Sequence, residues 1–185
     1  MKDLGIDRLN NFPFPTQPDE TSLKVAENFL IQIGALKADT KTRQKFNKDG
    51  TITKITSLGK TMACFPINPR YSKMLTLGNQ HNLLPYIITL ISALSVQELF
   101  VDAKHNPDFA KLRQKWAGFG ELLSLGDFTV LLVALGAVEY EAENGARFCE
   151  QTGIRLKAVL EAKKLRKQLT DTGKSLIIFL FVVVV

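Results

Sequence analysis

The sequence predicts a mainly α chain in two parts: a small domain of helices and one short β-hairpin over residues 1–80, then an all-helical bundle over 81–171. Three observations carry this reading. Apolar residues recur at three- and four-residue spacing through most of the chain. One stretch, Thr51 to Ile55, alternates polar and β-branched residues just after the turn signal Lys48-Asp49-Gly50. Beyond His81-Asn82 no alternating stretch recurs. With 185 residues, 45% hydrophobic and 23% charged, the chain can bury one core or two small ones, which excludes wholesale disorder and a many-domain enzyme.

The elements follow in order. Pro13, Pro15 and Pro18 fix φ and exclude a helix interior, so the first twenty residues read as an extended strap anchored by Phe12 and Phe14. Leu23, Ala26, Leu30 and Ile33 share one helical face, with Asp19 and Glu20 at its positive end and Gly34 at its stop. That apolar stripe is expected to face a core. The polar run Lys37 to Lys54 forms a loop or hairpin leading into the alternating strand. Thr56 or Ser57 caps a brief helix through Met62 and Ala63, which Phe65-Pro66 ends, and Pro69 opens another towards Asn79. A helix, a hairpin-like strand and further short helices within eighty residues outline a winged-helix module.

The second part is helical throughout. Leu84, Ile87, Ile88, Ile91 and Leu94 make a strongly apolar helix, buried on most sides. Asp108 to Gly118 is basic and polar and contains Trp116, which reads as core or interdomain packing rather than a base-stacking platform. Asp127 is expected to cap the hydrophobic helix Phe128 to Tyr140. Glu139, Glu141 and Glu143 read as a solvated turn. A last helix runs from about Ile154 to Thr170, with Leu156, Val159 or Leu160, and Leu165 or Leu169 inside. Residues 172–185 form an apolar tail, of which Leu176 to Val185 is ten residues long, against the roughly 20 that a spanning helix needs. No membrane association is expected.

Catalytic chemistry is conspicuous by omission. Gly173-Lys174-Ser175 resembles the end of a phosphate-binding loop, but Gln168 stands where its first glycine belongs and no strand precedes it. His81 and His105 have no metal-spaced partners and read as solvated loop residues. Cys64 and Cys149 belong to no paired motif, so a reducing compartment is expected, and the first residues carry no secretory signal. No cofactor is expected in this chain.

Charge points elsewhere. Twenty-four Lys and Arg against eighteen Asp and Glu leave +6, and the basic residues concentrate on the outer face of the last helix: Arg155, Lys157, Lys163, Lys164, Arg166 and Lys167, of which all but Lys157 are candidate RNA contacts. Side chains three and four apart share a face, so Lys163, Lys164 and Lys167 can track phosphates; the solvated outer face of a bundle helix would look the same. Lys111, Arg113 and Lys115 pose the same choice.

Several segments combine into a family resemblance. NFPFPTQP (Asn11 to Pro18), IGAL (Ile33 to Leu36) and ITSLGKTMACFPINPRYSKML (Ile55 to Leu75) resemble the winged-helix part of the C-terminal region of DEAH-box RNA helicases. LPYIITLISALSVQELF (Leu84 to Phe100) is similar to the family's first ratchet-domain helix, and FCEQTGIRLKAVLEAKKLRKQL (Phe148 to Leu169) to its terminal one. The resemblance covers Met1 to about Thr170, and Trp116 to Glu141 favours the nucleolar branch that serves small ribosomal subunit assembly. It implies a ratchet-like bundle after the winged helix. It also implies, for a complete family member, two RecA-like lobes using ATP and Mg, a channel for single-stranded RNA such as a ribosomal RNA precursor, a helicase-activating protein, and a nuclear, nucleolar location.

The departures shape the functional expectation. Both RecA-like lobes and the following OB-fold are missing, Val101 to Ala110 is short, and GKSLIIFLFVVVV matches nothing in the family. The chain is therefore expected to be an auxiliary fragment, a truncated product or a gene model running past an exon, and no enzyme by itself. Two alternatives stand beside this: a free-standing winged-helix nucleic-acid-binding protein, and a truncated regulatory isoform that competes for partners. Against the first, Lys60, Arg70 and Lys73 are interspersed with Met62, Phe65, Met74 and Leu75, which look committed to packing.

Overall fold

A computed structural model of the chain describes residues 1–6, 12–38, 53–102, 104, 106–118 and 120–183, with side chains described at all of these except Lys2, Ala142 and 176–183. The turn expected at Lys48-Asp49-Gly50 and the residue His105 lie outside the described residues. The chain divides into two compact units, Met1–His81 and Asn82–Val185.

In the first unit Phe12 and Phe14 meet edge to face with ring centroids 4.8 Å apart. Helix α1 (Glu20–Gln32) begins at Asp19, whose carboxylate accepts from the Thr21 and Ser22 amides at 3.1 and 2.9 Å and from the Thr21 hydroxyl at 2.6 Å. These donors hold the Asp19 carboxyl well below the usual carboxylate range. The inner stripe of α1 differs from expectation. Ala26 is exposed and no α1 residue is fully buried, because the stripe runs through Leu23, Glu27 and Leu30. Glu27 accepts a hydrogen bond from the buried Thr53 hydroxyl, so a polar group occupies the centre of that face.

Strands β1 (Leu36–Ala38) and β2 (Thr53–Ile55) pair antiparallel, Leu36 opposite Ile55 and Ala38 opposite Thr53. Thr56 then ties the hairpin to helix α2 (Ser57–Ala63). Its hydroxyl accepts from the Gly59 amide at 2.9 Å and lies 2.8 Å from the Gly34 carbonyl, to which it donates. Gly59 is required there: a Cβ would sit 2.1 Å from the Ala35 carbonyl oxygen, inside the backbone itself. Helix α3 (Pro69–Gln80) opens with Pro69 behind the capping Asn68 and packs on α2, with Met62 and Leu75 buried. The Arg70 guanidinium lies over the Phe29 ring, 5.1 Å from its centroid.

The second unit packs helix α4 (Leu84–Ser95) against α6 (Asp127–Tyr140) and α8 (Leu156–Val183), with α5 (Pro107–Trp116) on α6 and α7 (Gly145–Thr152) against α6 and α8. Ala93, Leu99, Ala134, Leu135, Val138, Cys149, Ile154, Ala158, Val159 and Ala162 form one cluster, flanked by Phe100 and Trp116. Trp116 packs against this core, as expected of it. Two buried hydroxyls are satisfied within their own helices, Ser92 donating to the Ile88 carbonyl at 2.7 Å and Thr152 to Phe148 at 2.6 Å, while Thr129 of α6 donates to the Leu122 carbonyl at 3.2 Å.

Four expectations change here. Helix α4 stops at Ser95, short of Phe100, and is less enclosed than its composition implies, since Tyr86 is exposed. Asp127 is the first helical residue of α6, not its cap; Gly126, at φ 55°, precedes it, and Asp127 complements the helix dipole from within the first turn. Glu139 belongs to α6 and pairs with Arg166 rather than lying in a solvated turn. Helix α8 continues to Val183 instead of ending near Thr170, because Gly173 adopts helical geometry and no proline follows.

Candidate nucleic-acid interface

Helix α8 buries one face and exposes the other, although Leu156, expected inside, is exposed, as is Leu160. Ala158, Val159, Ala162 and Leu169 are buried, while Lys157, Lys163, Lys164, Lys167 and Lys174 are exposed. At 3.6 residues per turn, Lys157, Lys164, Lys167 and Lys174 fall at spacings of seven, three and seven, and therefore line one side opposite the core. Lys163 lies on the flank of this stripe. At 1.5 Å per residue the row extends over roughly 26 Å. Among the described residues no ion pair holds any of these lysines; Glu161 and Asp171 are the acidic residues exposed on the same stretch of helix. Beneath it, burial pushes the Cys149 thiol up, with the Lys163 ammonium acting in the opposite sense.

Four of the other five basic residues that the sequence singles out have partners. Arg155 Nη1 lies 2.7 Å from Glu98 Oε2, and Arg166 Nη1 lies 2.7 Å from Glu139 Oε1. Lys111 Nζ is 3.0 Å from Asp108 Oδ1, one helical turn away and exposed. Arg113 turns inward: its Nη2 donates to the Val101 carbonyl, its guanidinium sits 4.6 Å from the Phe100 ring centroid, and its Nε is buried without a partner. Lys115 is exposed in the last turn of α5, where a cation complements the helix dipole. The structure therefore brings Lys163, Lys164 and Lys167 together on one helix, holds Arg155 and Arg166 in ion pairs, and sets the α5 group apart.

Lys157, counted among the outward basic residues but not among the phosphate contacts, and Lys174, which lies beyond the expected helix end, join the row; their seven-residue offsets from Lys164 and Lys167 are the signal. Gly173-Lys174-Ser175 lies inside α8, so its amides are not arranged as a phosphate-cradling loop. Among the described residues no three His, Cys, Asp or Glu side chains converge to hold a metal ion, and no helix is long and apolar enough to cross a membrane.

The winged-helix model of the helicase associated domain (HA2) matches residues 26–67, and the ratchet-like HA2 model matches residues 68–131. The chain belongs to the HA2 region of DEAH-box helicases. The boundary between the two HA2 matches falls at the start of α3, whereas α3 packs with the first unit, which closes after His81. Among relatives, the human "Probable ATP-dependent RNA helicase DHX37" is 42% identical over 186 residues, covering 92% of this chain and 16% of the relative. The Drosophila melanogaster "Probable ATP-dependent RNA helicase kurz" is 42% identical over 182 residues, covering 92% and 15%. The Saccharomyces cerevisiae "Probable ATP-dependent RNA helicase DHR1" is 33% identical over 211 residues, covering 95% and 16%. The chain spans about one-sixth of the length of these curated relatives.

Proposed function

We propose that this HA2 chain is the auxiliary C-terminal part of an ATP-dependent RNA helicase of ribosome biogenesis, and that α8 lies along single-stranded RNA such as a ribosomal RNA precursor. The lysine row carries the reading. Lysines spaced along one exposed helix face, above a core that occupies the other, fit a backbone of regularly spaced phosphates and make no demand on base sequence. The resemblance of Trp116 to Glu141 to the nucleolar branch supports the ribosomal assignment and a nuclear, nucleolar location. In this reading ATP and Mg belong to the RecA-like lobes of the same helicase, and the chain by itself catalyses nothing. An activating protein meets the winged-helix unit.

Binding of a fluorescent single-stranded RNA to the 185-residue chain tests this. Changing Lys163, Lys164 and Lys167 together to Glu should weaken binding strongly. It should also flatten the slope of log affinity against log salt by at least about 2, since each phosphate contact on a single strand contributes about 0.7. Unchanged affinity and slope would sink the RNA-facing role of α8. ATP turnover by the same preparation should stay at background, and measurable RNA-stimulated turnover would overturn the non-catalytic part.

A further inference from the structure

The residues that launch α8 form a compact clasp with an arginine from another helix at its back. Glu98 to Val101 runs antiparallel to Gly153 to Arg155, centred on the bridge Phe100–Ile154. The Val101 amide donates to the Gly153 carbonyl at 2.8 Å and the Arg155 amide to the Leu99 carbonyl at 2.9 Å. Arg155 then starts the helix, its carbonyl accepting from the Val159 amide at 3.1 Å, while its side chain closes on Glu98.

Two left-handed residues bracket this bridge. Glu98 has φ 47°, unusual for a residue with a side chain, and Gly153 has φ 68°. The Phe109 ring fills the space beside Gly153 so closely that a Cβ would lie 2.5 Å from it. Behind the clasp, Arg113 of α5 bonds the Val101 carbonyl and covers the Phe100 ring with its guanidinium.

We infer that Arg113 is a positioning residue for the RNA-facing helix and not one of its phosphate contacts. The inference rests on the proposed role of α8. A guanidinium serves here because it is planar: it offers an in-plane N–H to the carbonyl and a flat face to the ring at once, which a lysine ammonium cannot do. Its hold on Phe100 and Val101 passes through two backbone hydrogen bonds to Gly153 and Arg155, and so to the direction in which α8 departs. Lys163 to Lys167 lie roughly 12–18 Å beyond Arg155 along a stiff helix, so a tilt of about 10° at the clasp displaces them by about 2–3 Å. Such a shift is comparable to a whole hydrogen-bond length.

The test compares R113K and R113Q in the full chain, with two measurements on each. Amide hydrogen exchange at Val101 and Arg155 should rise at least tenfold in both variants, while Ala134 and Val138 in α6 keep their protection. Single-stranded RNA affinity should fall severalfold in both, with the charge-conserving R113K no better than R113Q. Wild-type affinity in R113K beside a loss of affinity and salt slope in R113Q would identify a charge contact and overturn the inference. Unchanged exchange at Val101 and Arg155 would overturn it too.

E98Q, which removes only the charge of the surface partner of Arg155, should give a smaller rise at the Arg155 amide and guards against misfolding of the Arg113 variants; no rise there would count against the clasp. Failure of the α8 reading looks different. The triple lysine variant would then bind RNA normally while exchange in R113K is still raised.

Discussion

The two units each depend on one glycine, and the comparison shows what kind of order each unit has. Gly59 sits where a β-carbon would meet the backbone carbonyl of Ala35, at the junction that joins the hairpin to α2. Gly153 sits where a β-carbon would meet the Phe109 ring, at a positive φ, in the clasp before α8. The first obstacle is covalent chain that cannot move without pulling β1 from its place. The second is a side chain that can rotate, in front of a backbone angle that L residues dislike. The winged-helix unit is thus fixed by backbone approach around a thin core, and the bundle by side-chain packing around a continuous one. Conspicuous motif residues in the first unit, Thr56 and Gly59 of ITSLGK, hold main chain together rather than reach for a ligand.

Substituting both glycines separately breaks the comparison most directly. G59A should destabilise the first unit by about 3 kcal/mol or more, because neither partner of the clash can yield. G153A should cost the second unit about 2 kcal/mol, part of it from φ and part from displacing the ring. Thermal unfolding followed by near-ultraviolet circular dichroism, with Trp116 reporting on the second unit, distinguishes the two. Equal losses, or a larger loss for G153A, would refute the contrast.

The acid limb of stability sharpens it further. Asp19 is held well below its ordinary range by donors that exist only in the folded helix terminus. Its contribution is therefore present above the unfolded-state value near 4 and is lost as pH falls through the lower folded value. D19N keeps a capping oxygen but does not titrate. It should remove part of the pH dependence of the first unit below about pH 4 and leave the second unit's unchanged. An unaltered acid profile in D19N would show that the cap does not contribute.

Much of this was legible in the sequence where a local rule acts alone. Asn68-Pro69 announces α3, Thr56 announces α2, and the alternation ending at Ile55 announces β2. What could not be read depends on distant contacts. Helix α7 begins at Gly145, a residue that usually closes helices, and is retained because Gly145 and Cys149 pack beneath α6. The stripe of α1 departs from expectation at a single place, Glu27 standing in for Ala26, because Glu27 is recruited inward by a threonine twenty-six residues away. Charge counting grouped Arg113 with Lys111 and Lys115, since nothing local distinguishes a guanidinium bound for solvent from one bound for the Val101 carbonyl. Within α8 the lysine row was partly legible: Lys157 and the cluster at Lys163 to Lys167 as outward basic residues, its extension to Lys174 only by the continuation of the helix past Thr170.

The two cysteines make the smallest perturbation and follow the same division. Cys64 is exposed at the end of α2, its Sγ 3.4 Å from the Lys60 carbonyl, whereas Cys149 is buried in the core of the second unit with its thiol pushed up by that burial. Alkylation depends on the thiolate and on access, and both are withheld from Cys149. At neutral pH iodoacetamide should therefore label Cys64 and spare Cys149 in the native chain. In C64S, the remaining thiol should react only through openings of the second unit, at a rate set by their free energy. G59A in that background should leave the rate unchanged, and G153A should raise it. If G59A accelerates Cys149 labelling as much as G153A does, the two units do not open independently, and the order in the winged helix supports the core beneath α8.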